Sequence, residues 1–99
     1  MEDEIPQPVH YEKDKRLIPY LLACQPTVSF VGTKNENGVV FFCFSPEIKV
    51  RELINCFFTD QTPAISPKRL MDAIEEFRTI LYREKDKLRM DYGGRYGER

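Results

Sequence analysis

A chain of 99 residues with 41% hydrophobic side chains has apolar material for one small core and too little for two, since a chain of this length buries roughly 60–70% of its unfolded surface. Its 15 Lys and Arg stand against 16 Asp and Glu, a formal net charge of -1. That balance excludes a simple, strongly basic nucleic-acid binder and equally an acidic DNA mimic.

Residues 1–12 hold Pro6, Pro8 and four acids but few large aliphatics, a composition that does not offset the entropy of ordering and predicts a flexible acidic arm. From Asp14 onward, Leu17, Ile18, Tyr20, Leu21, Leu22 and Cys24 predict a short helix that begins near Lys15 or Arg16, or else kinks there. Pro19 is tolerated in its first turn, where amides lack intrahelical partners, and Gln25-Pro26 ends it because the residue before proline avoids the helical region. Residues 27–33 are β-branched and aromatic and read as a strand. Residues 34–38 carry the Asn37-Gly38 pair that closes antiparallel hairpins, and residues 39–44 supply the partner strand. Because that partner is apolar on both faces, it should be central or sandwiched.

Ser45, Pro46 and Glu47 combine a capping hydroxyl, a proline for the first helical position and an acid at the positive end of the dipole. Ile48, Val50, Leu53, Ile54, Phe57 and Phe58 give that helix an apolar face, and residues 62–65 suggest a short extended segment at a sheet edge. Ser66 and Pro67 repeat the same start and open the longest helix, expected to run to about Lys87. Leu70, Ile74, Phe77, Leu81 and Leu88 form its stripe, widened by Met71, Ala73 and Ile80. The layout is a flexible arm (1–12), a single α+β domain (13–88) and a flexible Arg/Tyr/Gly tail (89–99). Three helices pack a small antiparallel sheet in the order α-β-β-α-(β)-α.

The run Asp14-Lys15-Arg16-Leu17-Ile18-Pro19-Tyr20-Leu21-Leu22-Ala23, the hairpin ending Val40-Phe41-Phe42-Cys43-Phe44, the helix with Leu53, Phe57 and Phe58, and the start Ile65-Ser66-Pro67-Lys68-Arg69-Leu70 resemble a family of small bacterial and phage domains of unknown function. The resemblance covers roughly residues 14–82. It implies a helix–hairpin–helix–helix domain, often encoded on mobile elements, and brings no assigned chemistry.

Catalytic patterns are thin. His10 is the single histidine and sits in the arm, so a nucleophile–histidine site would require the arm to fold back over the core. Cys24, Cys43 and Cys56 lie 14, 33 and 46 residues from His10, a spacing foreign to zinc ligands. They read as reduced core residues of a cytoplasmic protein. Glu75 and Glu76 are neighbours on a helix and diverge by about 100°, and Gly93-Gly94 does not link a strand to a helix. The acidic start predicts no signal peptide, and the longest apolar run, residues 39–44, is far below the roughly 18–20 residues that span a bilayer. No enzyme, metal, cofactor or membrane association is expected.

Binding features are richer. Apolar side chains exceed what the core needs, and Val31, Val39, Phe41, Phe57 and Phe58 are the candidate interface residues, for an unidentified protein partner or a homodimer. The expectation is a non-enzymatic interaction or regulatory module, of a phage or mobile element. The alternative is an accessory single-stranded nucleic-acid binder using Arg89, Tyr92, Arg95, Tyr96 and Arg99, where cations meet phosphates and rings stack on bases.

Overall fold

In a computed structural model, which describes residues 8–97 and the side chains of residues 8–88, Asn37 and Gly38 take positive φ angles of 53° and 81°. Two consecutive left-handed residues make the tight turn whose twist matches antiparallel strands. Because the turn uses only these two residues, strand β2 (Ser29–Glu36) and strand β3 (Val39–Ser45) stay paired from Glu36 opposite Val39 to Ser29 opposite Ser45. A bulge between Phe30 and Gly32 leaves Val31 as the extra residue. β3 is the central strand, as its two apolar faces require, in a three-stranded sheet of order β1-β3-β2.

The third strand is not where composition put it. Residues 62–65 remain a loop, and the edge is β1 (His10–Glu12), drawn from the end of the expected arm. His10 pairs with Phe44, Tyr11 with Cys43 and Glu12 with Phe42, antiparallel. Glu12 also ties this strand into the turn that follows: its carboxylate accepts from His10 Nε2 at 2.7 Å and from the Asp14 amide at 3.0 Å. Residues 1–7 of the expected arm lie outside the described residues.

Helix α1 (Leu17–Ala23) starts as expected, with the Asp14 carbonyl accepting from the amides of Leu17 and Ile18 at 3.1 Å each and Pro19 within its first turn. All seven of its residues are buried. Its C-terminal carbonyls are capped from a distance: Arg69 Nε donates to the Ala23 carbonyl at 2.7 Å, and the other arm of the guanidinium donates to the Gln25 carbonyl. Helix α2 (Glu47–Phe58) begins one residue late for a serine cap. Ser45 is still in β3, paired with Ser29, so Pro46 takes the cap position without a side-chain hydrogen bond. In helix α3 (Pro67–Gly97) the expected cap does form, Ser66 Oγ accepting from the Arg69 amide at 3.1 Å.

The core lies between the sheet and the helices. Val40, Phe42 and Phe44 point the same way from β3 and are buried with Ile18, Leu21, Val28 and Val50. The Phe42 ring sits 5.7 Å from Phe30 and 5.4 Å from Phe77, centroid to centroid. Tyr20 is buried with its hydroxyl donating to the Leu53 carbonyl at 2.7 Å, which joins α1 to α2.

α3 differs from expectation in phase and in length. Its buried line is Ala73, Phe77, Ile80 and Glu84, so Leu70 (38% exposed) and Ile74 turn to one side of the core. The expected stripe, counted in apolar residues, passes over Glu84. Here it is 5% exposed and satisfied, accepting from Asn35 Nδ2 at 3.1 Å and Lys87 Nζ at 3.2 Å. The helix also runs past Lys87, since residues 83–92 contain no proline or glycine to stop it.

Desolvation alone would raise the Glu84 carboxyl, but Asn35, Lys87 and Thr33 together hold it below its ordinary value. A depressed folded-state pKa contributes stability above the unfolded value, and that contribution disappears as pH falls through the folded one. The stability of the native chain to urea should therefore fall below about pH 4.3, with a shallower loss in a Glu84→Gln variant. Equal pH slopes for the two proteins would contradict this role.

Candidate functional site

The candidate interface residues separate into different surfaces. Val31, 53% exposed at the bulge, and half-buried Phe41 lie toward the side of the sheet away from the helices. Tyr11 is exposed there as well, with Lys34 Nζ 5.1 Å from its ring centroid. Val39, at the hairpin end, borders a small cavity against α3. Phe57 and Phe58 are at the far end of α2, their rings edge-on at 5.2 Å. The Arg16 guanidinium stands 5.9 Å and 5.7 Å from the two ring centroids.

Phe57 marks a larger feature. A groove of about 780 Å³ opens between the start of α1, the 62–65 loop and the first half of α3. Pro19, Tyr20, Phe57, Ile65, Leu70, Ile74 and Phe77 give it an apolar floor and walls, while Lys15, Arg16 and Arg78 stand among its lining residues. Tyr20 and Phe57 meet at 5.2 Å between centroids. Beyond Phe77 lies the smaller cavity, about 160 Å³, bordered by Ile18, Val40, Phe42 and Leu81 together with Lys13, Lys15 and Lys85. Lys15 and Phe77 line both.

Local sequence explains the groove. The 62–65 loop contains Pro63 and follows Asp60 at a positive φ of 61°, so it leaves α2 without joining the sheet. The phase of α3 then turns Leu70 and Ile74 toward that loop and away from the strands. Apolar residues therefore line a surface that nothing in the described chain covers. Arg16 pairs with Asp14 at 3.2 Å and Arg78 with Glu75 at 3.5 Å, both on the exposed surface. Neither acid lines the groove.

The residues considered for chemistry are dispersed. His10 is engaged by Glu12 on β1, and Glu75 and Glu76 are exposed on α3. Cys24 and Cys43 are buried and Cys56 partly so, all as free thiols, and burial pushes the Cys24 and Cys43 thiols up. Among the described residues no group of three or more His, Cys, Asp or Glu side chains is placed to hold a metal ion. No helix there is long and apolar enough to cross a membrane. The side chains of Arg89, Tyr92, Arg95 and Tyr96, and Arg99 entirely, lie outside the described residues.

Sequence reasoning named Phe57 but missed the groove as a unit, because its walls come from positions as far apart as Lys15 and Arg78. One signal was available: the apolar positions 70 and 74 and the apolar loop residues Pro63, Ala64 and Ile65 are more than one helix stripe needs. The chain matches no protein family, no curated protein and no solved structure.

Proposed function

We propose that this chain is a non-enzymatic protein-interaction module that holds a segment of a partner protein in the groove between α1, the 62–65 loop and α3. The observation that carries this reading is an open, apolar-floored groove of about 780 Å³ on a chain of 99 residues. A surface of that size without a cover marks a binding site more often than a defect of packing. A small ligand is a poorer fit, since small-molecule sites enclose most of their occupant, whereas Leu70 on one wall is 38% exposed.

The module reading predicts that peptides selected from a random library against the full-length chain lose at least tenfold in affinity for a Leu70→Arg variant, about 1.4 kcal/mol. Leu70 is exposed enough for arginine to leave the melting temperature nearly unchanged, which circular dichroism checks. Selection of no binders, or of binders indifferent to Leu70→Arg, would contradict the reading.

A further inference from the structure

The groove is basic in a chain that is not. Taken together, the groove and the small cavity beyond Phe77 are bordered by Lys13, Lys15, Arg16, Arg78 and Lys85 and by no Asp or Glu. The whole chain has 15 basic and 16 acidic residues, so a concave surface with five cations and no acid is a concentration of charge that composition does not predict. All five side chains are exposed. The acids paired with Arg16 and Arg78 are surface partners, and such pairs exchange at little cost.

Resting on the module reading above, we infer that the partner segment is an acidic amphipathic helix, its apolar side in the groove and its carboxylates against Lys13, Lys15, Arg16, Arg78 and Lys85. The walls favour a helix over an added strand. They are the surfaces of α1 and α3, the end of α2 and a loop, with no strand edge to offer a ladder of backbone hydrogen bonds, and helix-in-groove docking needs only apolar anchors at helical spacing. Apolar walls likewise favour a peptide over a nucleic acid: Tyr20 is buried, with its hydroxyl committed to the Leu53 carbonyl, and offers no free ring for a base.

The test uses full-length protein and two labelled amphipathic peptides with one shared apolar face, the polar face being glutamate in one and lysine in the other, followed by fluorescence anisotropy. A labelled single-stranded oligonucleotide forms a third arm. The glutamate peptide should bind roughly tenfold or more tightly than the lysine peptide, with the gap narrowing as salt rises. Joint Lys15→Glu and Lys85→Glu substitution, at two exposed positions, should remove or reverse the preference while the circular dichroism spectrum is unchanged. Equal affinity for both peptides would overturn the acidic assignment and leave the groove reading standing. Tighter binding of the oligonucleotide, lost in the same double variant, would overturn it in favour of nucleic acid. Binding of none of the three probes would overturn the groove reading as well.

Discussion

Replacing Phe42 with alanine should cost about 3–5 kcal/mol, a large share of the roughly 5–15 kcal/mol that holds a small domain together. The ring is fully buried at the centre of the central strand. It touches Phe30 from the neighbouring strand and Phe77 from α3, so its loss leaves a cavity where sheet and long helix meet. Strand geometry blocks an easy collapse, because β3 is hydrogen-bonded on both edges and cannot shift toward the gap without breaking ladders on either side. In urea, with an m-value of about 1–2 kcal/mol/M, the midpoint should fall by about 1.5 M or more. A loss under about 1 kcal/mol would mean that the sheet and α3 are not packed through this ring.

Phe77→Ala should cost a similar amount, about 3–5 kcal/mol, for a related reason with a different consequence. Phe77 is buried on α3, lies against Phe42 at 5.4 Å, and stands between the large groove and the small cavity. Truncation would both thin the core and merge two concave surfaces. Since the two rings touch, the double variant should lose less than the sum of the single ones, by about 0.5–1.5 kcal/mol. Strict additivity in a double-mutant cycle would show that the rings do not share the contact described here.

Local chemistry made the hairpin legible. Asn37-Gly38 is a pair that tolerates two positive φ values, and an apolar strand beside it has to be central. Strand β1 was hidden because His10-Tyr11-Glu12 has no β-branched residue and pairs with residues thirty or more positions away. Ser45 was expected to cap α2 because its residue type is right, but the ladder to Ser29 claims it first. At Ser66 there is no competing strand, and the same chemistry succeeds.

α3 carries the most instructive difference. Periodicity located the helix, but a stripe counted in apolar residues passes over Glu84, which belongs to the buried line, bonded to Asn35 of the hairpin and to Lys87. Moving the stripe toward Ala73, Ile80 and Glu84 is what releases Leu70 and Ile74 to the groove. The groove was therefore not legible locally. It depends on the phase of one helix, on a loop that does not become a strand, and on cations from two distant segments, residues 13–16 and 78–85, that meet on the surface.

The groove is proposed to hold a partner's peptide. This is tested most directly by nuclear magnetic resonance: amide shift changes of the full-length, nitrogen-labelled chain on titration with the tightest peptide from the library selection. The changes should cluster on Lys15, Tyr20, Phe57, Ile65, Leu70, Ile74 and Arg78, and leave Tyr11, Val31 and Phe41 on the other side of the sheet unmoved. Changes centred on Tyr11, Val31 and Phe41, with the groove residues silent, would contradict it.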